Sequence, residues 1–162
     1  MALVEFWAPQ PGDRVLEVGC GHGDTTVSLA AAVGDSGHVT AIDKAGSAQG
    51  GSTTLSDAHS YIESTDAGPR IKFRLSTDLL RPGLEFAPKE FDLIVFPHCS
   101  WYMRSMDELD RSFARARQWG QRQGYTEWEE RLRDLKQLPR LLSALLQIQI
   151  RTVSDAGPGN IY

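Results

Sequence analysis

A glycine-rich turn between an apolar run and a helix-like segment constrains this chain more than any other feature. The apolar residues 15–16 lead into Glu17-Val18-Gly19-Cys20-Gly21-His22-Gly23, and residues 25–33 then have helical character. Gly19 and Gly21 permit backbone angles that a side chain would forbid, so a ligand can lie against the main chain. A strand, a tight glycine turn and a helix N-terminus together form a nucleotide-binding unit of α/β proteins.

The spacing of the glycines favours one kind of ligand over another. A dinucleotide fingerprint that starts at Gly19 needs its third glycine at position 24, but here that glycine is Gly23 and position 24 is Asp24. With Glu17 in front, the pattern is E-x-G-x-G-x-G, and an acid ahead of the turn suits a positively charged ligand better than a pyrophosphate. A glycine turn that binds no ligand is the alternative interpretation. We also expect Asp24 to cap the following helix and Gly34 to end it.

Strand-like and helix-like segments alternate along most of the chain. The predicted strands are residues 14–18, 38–42, 71–75 and 91–96, and the predicted helices are residues 25–33, 54–64 and 106–119. The last of these strands is a continuous apolar run, which is typical of a buried parallel strand. The alternation predicts an α/β fold with an open parallel sheet flanked by helices.

The pattern weakens beyond residue 119. Residues 121–128 are largely polar, so the sequence leaves open whether they form a fifth strand. We predict a single domain with a core at 13–119, a helical C-terminal part at 120–153 and a tail at 154–162.

Two features describe the predicted C-terminal part. Asp134 and Gln137 have the spacing of a capping box, so a last helix should begin there, with Pro139 kinking its first turns or delaying its start. Charges of both signs alternate between Arg111 and Arg140, with Glu127 among them, and this pattern favours a solvated helical face.

Charge, cysteine content and hydropathy argue against nucleic-acid binding, metal binding, secretion and membrane insertion. The net charge of −4 argues against general nucleic-acid binding. Cys20 and Cys99 stand outside any paired metal motif, so we predict reduced thiols and no metal site. No secretory signal is visible, and the apolar stretch 141–150 is too short to span a bilayer. We therefore expect a soluble, cytoplasmic protein with no membrane partner.

Acidic residues follow two of the predicted strands. Asp43 ends the second strand, where a carboxylate can accept both ribose hydroxyls of an adenosine; a strand-terminal Asp that starts a turn is the alternative. Asp78 follows the third strand and can accept a hydrogen bond from an adenine amino group, while Leu79 offers its amide and an apolar face to the ring. A cap of a helix or turn competes with that role for Asp78.

The loop after the fourth strand carries the candidate catalytic group. His98 can act as a general base near neutral pH, or it can hydrogen-bond a cofactor or a loop carbonyl. Trp101 and Tyr102 either shape an aromatic substrate pocket or pack under the next helix. In an open α/β sheet this loop borders the crevice where ligands bind.

Residues 6–102 resemble a class I S-adenosylmethionine (SAM) dependent methyltransferase, especially the small-molecule enzymes of the kind found in fungi. The motifs that carry the likeness are the glycine turn, Trp-Ala-Pro-x-Pro-Gly-Asp at 7–13 and His-Cys-Ser-Trp-Tyr at 98–102. The resemblance implies a Rossmann-like fold, SAM as cofactor, and binding of its methionine part by the turn, its ribose by Asp43 and its adenine by Asp78. The full set of implied cofactor residues is Glu17, Gly19, Cys20, Gly21, Gly23, Asp43, Lys44, Asp78, Leu79 and His98.

The chain departs from that family at both ends. Only about a dozen residues precede the first strand, and the usual C-terminal antiparallel strands are not recognisable. A homo-oligomer or a partner chain that completes the sheet edge is one expected solution. The leading hypothesis is methyl transfer to a small organic molecule. The alternatives are a truncated, non-catalytic SAM-binding or partner-binding protein, a SAM-dependent lyase or cyclase, and lastly an NAD-type oxidoreductase.

Overall fold

Five parallel strands form one sheet, which provides the frame of the candidate site. The computed structural model describes residues 2–128 and 133–153. The strands are β1 (Arg14–Val18), β2 (His38–Ile42), β3 (Ile71–Arg74), β4 (Phe91–Pro97) and β5 (Gly120–Thr126). Their order across the sheet is β3-β2-β1-β4-β5, and every neighbouring pair is parallel. This confirms the predicted open parallel sheet of Rossmann-like type; the described residues contain no antiparallel pair.

Helices cover both faces of the sheet: α1 (Ala2–Trp7), α2 (Asp24–Val33), α3 (Leu55–Glu63) and α4 (Met106–Trp119), with 3₁₀ turns at Gly68–Arg70 and Ser100–Tyr102. After β5 the chain forms a 3₁₀ turn at Leu135–Gln137 and a further helix, α5 (Leu138–Val153). On one face the core contains Leu16, Ile94, Phe96 and Trp119; on the other it contains Val15, Val95, Trp7, Leu29 and Val33. Consecutive residues of β1 thus face opposite cores, as expected for a strand covered on both sides.

The start of α2 differs from the sequence prediction. Asp24 was expected to cap this helix from outside, but it is the first helical residue, and the cap position is Gly23 with φ of 95°. The backbone reverses through this left-handed conformation, which favours glycine, so the cap moves one residue earlier. Asp24 instead places its negative charge in the first turn, where the helix dipole favours it. The helix ends before Gly34 as predicted.

Residues 120–126 are a strand, so the assignment of 120–153 to a helical part is wrong for these residues. The strand is polar because it lies at the edge of the sheet and its side chains form hydrogen bonds with residues outside the strand. Arg122 donates to Asp13 at 3.1 Å, Gln121 to Asp92 at 2.8 Å, and Gln123 to the carbonyl of Phe113 at 3.0 Å.

Two glycines let β5 approach its neighbours closely. A Cβ at Gly120 would lie 2.8 Å from the side chain of Ile94, and one at Gly124 would overlap the ring of Trp7. Trp7 belongs to α1, a helix that is absent from the predicted elements. The close approach accounts for glycine at positions where a strand would ordinarily have a bulky side chain.

The described residues from Trp128 onward, 128 and 133–153, belong to a separate compact unit, whereas the first unit ends at Glu127. Asp134 and Gln137 make the predicted capping box, which starts a 3₁₀ turn, and α5 follows from Leu138. Pro139 therefore lies in the first turn of α5, where its missing N–H costs no helical hydrogen bond. This confirms a delayed start of the last helix.

Candidate functional site

The glycine turn is hydrogen-bonded to the carboxyl end of β2. The amides of Gly19 and Cys20 donate to the carbonyl of Ile42 at 2.9 and 3.2 Å, and the amide of Gly21 donates to Asp43 Oδ2 at 2.8 Å. Asp43 Oδ1 accepts the amide of Ala45 at 2.8 Å. Each carboxylate oxygen therefore holds one main-chain amide and retains a further lone pair for another donor.

The loop after β4 lies directly against this turn. Gly19 has φ of 80°, and a Cβ built on it would lie only 2.6 Å from Cβ of Cys99. A second link joins the loop after β2 to the same region, because Lys44 Nζ donates to the carbonyl of Tyr102 at 2.6 Å. Three loops that follow β1, β2 and β4 thus converge at the carboxyl edge of the sheet, where open α/β sheets bind ligands.

Both cysteines of this region are buried free thiols, in agreement with the prediction. Burial raises the pKa of Cys99 to about 12, with the negative charge of Glu127 adding to the effect. Burial also raises the pKa of Cys20, helped by the nearby carboxyl groups of Glu17 and Asp43. Because the thiolate is the reactive form of cysteine, burial makes both side chains weaker nucleophiles than an exposed thiol.

Glu17 lies beneath the turn rather than at its surface. Its side chain is fully buried and accepts a hydrogen bond from Thr26 Oγ1 at 2.5 Å. Burial raises its pKa to about 8, the Thr26 bond opposes that shift, and repulsion from Asp43 and Asp24 adds to it. Oε1 is buried and has no hydrogen-bond partner within the described part of the chain. The acid is therefore largely neutral at pH 7 and links β1 to the first turn of α2.

His59 is a site residue that sequence reasoning missed. It lies on α3, is 4% exposed, and its Nε2 is 2.8 Å from the carbonyl oxygen of Gly21. Its ring stacks on Phe73 with centroids 3.7 Å apart and planes 8° from parallel. Because a carbonyl only accepts, His59 Nε2 carries the proton. The main chain of Gly21 is thus held at its N–H by Asp43 and at its C=O by His59.

This arrangement predicts the effect of replacing His59. His59→Phe preserves a ring against Phe73 but leaves the partly buried Gly21 carbonyl without its donor. We expect the free energy of unfolding, measured in denaturant, to fall by about 1–3 kcal/mol. His59→Gln supplies an N–H near the position of Nε2 and should restore most of the stability. Equal stability of the Phe variant and the wild type would exclude the role.

Asp78 and Leu79 lie in a tight turn after β3. Asp78 Oδ1 accepts the amide of Leu80 at 2.8 Å, so the carboxylate caps a turn, as the alternative interpretation anticipated. The Leu79 side chain is only 5% exposed and packs into the core with Leu84 and Phe91. The contact with an adenine stays a prediction for Asp78 and for the Leu79 amide; the Leu79 side chain serves the core.

His98 begins the loop after β4 in an unusual backbone conformation. Its φ is 48°, in the left-handed region, and its amide donates to the carbonyl of Thr126 at 2.9 Å. Non-glycine residues held in this region cluster at functional sites. Trp101 and Tyr102 follow in a 3₁₀ turn and are half-buried. The carbonyl of Tyr102 accepts the hydrogen bond from Lys44 Nζ. That the rings of Trp101 and Tyr102 shape a substrate pocket stays a prediction.

Glu127 also belongs to this region, and its predicted place on a solvated helical face is wrong. It directly follows β5 and is only 18% exposed at its side chain. Ser100 donates to Glu127 Oε2 from both its amide and its hydroxyl, and His98 Nδ1 lies 3.5 Å from Oε1. The error follows from β5, because a strand ending at Thr126 delivers the next residue to the carboxyl edge of the sheet.

Comparison with known proteins identifies this architecture. A family model described as a methyltransferase domain matches residues 15–124. The chain belongs to this methyltransferase family. No curated protein matches the chain by sequence.

Solved structures share the fold of the methyltransferase domain. A cyclopropane-fatty-acyl-phospholipid synthase-like protein from Lactobacillus casei superposes with a TM-score of 0.85 at 31% identity, covering 96% of this chain and 57% of that one. A SAM-dependent methyltransferase from Aquifex aeolicus has a TM-score of 0.61 at 17% identity, over 82% and 65% of the two chains. The cyclase SpnF has a TM-score of 0.52 at 20% identity, over 70% and 38%. The present chain therefore spans little more than half of the first of these proteins.

The family implies SAM as the cofactor, and the residues at the carboxyl edge fit it. The glycine turn leaves its main chain accessible at Gly21, where a Cβ would meet no atom within 4 Å, so there is room for a ligand. The partly buried Asp43 carboxylate has lone pairs for ribose hydroxyls.

No helix among the described residues has the length and apolar character that a membrane crossing requires.

Proposed function

We propose that this methyltransferase domain binds SAM at the carboxyl edge of its sheet and transfers the methyl group to a small organic molecule. The observation that carries the proposal is the convergence of three loops, in which Asp43 holds the Gly21 amide, Cys99 packs on Gly19 and Lys44 reaches Tyr102. The net charge of −4 supports a small acceptor over a nucleic acid.

Different residues would bind the cofactor and contact the methyl acceptor. Gly19 and Gly21 would lie against the methionine part of the cofactor, Asp43 would accept the ribose hydroxyls, and Asp78 would accept the adenine amino group. SAM, when bound, supplies an electrophilic methyl group whose bonding electron pair remains on sulfur after transfer. The protein contributes mainly proximity and in-line orientation. His98 would remove a proton from the acceptor, and Trp101 and Tyr102 would border it.

A SAM-dependent reaction without methyl transfer is the second candidate. The fold is shared with the cyclase SpnF, and a sulfonium can stabilise developing negative charge without losing its methyl group. The two candidates differ in their product, because only methyl transfer converts SAM to S-adenosylhomocysteine.

Calorimetry followed by a product assay tests the proposal. We expect binding of SAM and of S-adenosylhomocysteine and none of NAD. Incubation with methyl-labelled SAM and a panel of hydroxyl, amine and activated-carbon acceptors should then release S-adenosylhomocysteine. NAD binding without a response to either sulfur ligand would refute the cofactor assignment. SAM binding without methyl release over the panel would favour the second candidate.

Asp43→Ala measures the contribution of the ribose contact. The change removes the acceptor of the Gly21 amide together with the proposed acceptor of the ribose hydroxyls. Hydrogen bonds to a charged group contribute about 1.5–3 kcal/mol, so we expect the calorimetric Kd for SAM to rise roughly 10- to 150-fold. Asp110→Ala, at an exposed position of α4, is the matched control. An unchanged Kd in the Asp43 variant would mean that the ribose lies elsewhere.

A further inference from the structure

A histidine and a glutamate meet where β4 and β5 end. We propose that Glu127 is a positioning residue that keeps a proton on His98 Nδ1, so that His98 Nε2 is the atom that takes a proton from the methyl acceptor. The inference rests on the proposed function, because it assigns a helper to the general base of that reaction.

The distances place a carboxylate against one particular ring nitrogen. Glu127 Oε1 lies 3.5 Å from His98 Nδ1, within ion-pair range. The Nδ1 atom itself is buried, yet the His98 side chain as a whole remains 22% exposed. The edge of the imidazole that carries Nδ1 therefore faces the carboxylate.

A network of donors fixes the second oxygen of Glu127. Ser100 reaches Oε2 with its hydroxyl at 2.5 Å and its amide at 3.2 Å, and the hydroxyl of Tyr125 donates to Ser100 Oγ at 3.1 Å. With Oε2 occupied by these donors, Oε1 is the oxygen that turns to the histidine. A carboxylate held by several hydrogen bonds is preorganised and loses little entropy when it orients its partner.

The backbone holds both partners in place. The His98 amide donates to the carbonyl of Thr126, the residue before Glu127, at 2.9 Å. Thr126 pairs with Pro97 in the β4–β5 register, so the two side chains leave adjacent strand ends. This bond also anchors the left-handed backbone of His98, whose φ is 48°.

The chemical consequence follows from the tautomers of imidazole. A neutral ring carries one proton, and a carboxylate at Nδ1 favours the form with N–H at Nδ1 and a lone pair at Nε2. In the reaction the bond between the acceptor and its proton breaks, an Nε2–H bond forms, and the resulting imidazolium is stabilised by the Glu127 carboxylate. The Nδ1 proton stays in place throughout, so the glutamate orients the base without being protonated itself.

Nitrogen-15 spectroscopy of the labelled histidines tests this assignment without any acceptor. At about pH 8, above the ordinary titration range of histidine, the wild-type protein should show His98 protonated at Nδ1 and bare at Nε2. In Glu127→Gln the Ser100 donors keep the amide oxygen, so the amide nitrogen faces Nδ1 and donates to it. We expect the tautomer of His98 to invert, while the signals of His22, His38 and His59 stay in place.

Activity and binding supply the second readout. Glu127→Gln should bind SAM within about twofold of the wild type but lower kcat on any acceptor found in the panel by about 10²-fold or more. Glu63→Gln, on the exposed side of α3, is the control for loss of one charge. A purely structural role would instead lower stability and binding together.

The outcomes separate this inference from the proposed function. A wild-type His98 with its proton on Nε2 would overturn the inference even if the variant failed to fold. A folded Glu127→Gln protein with an unchanged His98 tautomer would overturn it as well. Failure of the wild type to bind SAM would instead overturn the proposed function, whatever the tautomer of His98.

Discussion

Gly19→Ala is expected to abolish measurable SAM binding and to lower the free energy of unfolding by about 2–5 kcal/mol. The backbone at Gly19 has φ of 80°, which a residue with a Cβ adopts only at a cost. The new methyl group would also lie 2.6 Å from Cβ of Cys99, an atom fixed to the backbone that cannot rotate away. Relief of the clash must separate the turn from the β4 loop, and that movement displaces the proposed cofactor site.

Gly83→Ala is the matched control for this variant. Gly83 has φ of 82°, almost the same as Gly19, but a Cβ there would meet no atom within 4 Å. It therefore isolates backbone strain from the clash, and denaturant unfolding of both variants should show the larger loss for Gly19→Ala. A second substitution, Cys99→Gly, should recover part of that loss by removing the colliding atom. If the two alanine variants were equally stable, the close approach of turn and loop would be refuted.

Glu17→Gln should remove a pH dependence of stability that the wild-type protein shows. The pKa of Glu17 is raised from 4.5 to about 8 in the folded state, chiefly by burial. Between these two values the unfolded chain loses its proton while the folded chain keeps it. The contribution of the Glu17 side chain to the free energy of unfolding is therefore complete below pH 4.5 and is lost as the pH rises towards 8. The loss at pH 7 amounts to ~3 kcal/mol, and the neutral amide of the variant avoids it.

Unfolding in denaturant at a series of pH values measures this effect. The free energy of unfolding of Glu17→Gln, relative to wild type, should rise between about pH 4.5 and 7. Glutamine can still accept the Thr26 hydroxyl, so the variant changes charge rather than shape. Glu63→Gln removes one exposed carboxylate and should not reproduce the slope. Parallel pH profiles for wild type and Glu17→Gln would show that Glu17 is ionised in the fold.

The parts of the fold that could be predicted are those whose signals are local. β1 and β2 have the predicted bounds, and α4 also begins and ends as predicted. The turn could be recognised because the glycines that its conformation requires are adjacent in sequence. Asp43 could be located because it directly follows a recognisable strand, and the structure does bring it to the turn.

The parts that could not be predicted depend on contacts between distant positions. β5 is polar because side chains such as Arg122 pair with distant residues, here Asp13, 109 residues earlier. No local sequence pattern indicates such a partner. His59 reads as an ordinary helical residue until the fold brings it to the Gly21 carbonyl, 38 residues away. Glu127 was misplaced for the same reason, because its surroundings are set by the strand before it and by Ser100 on another loop.

The strand order has a consequence for how the molecule opens. β1, which carries the glycine turn, is the central strand and pairs with β2 on one side and β4 on the other. An outer strand frays by breaking one ladder, whereas release of β1 requires two ladders to separate around a fully buried core. Fraying confined to β5 therefore leaves the two ladders of β1 in place. Release of the strand that carries the turn instead requires the centre of the sheet to separate.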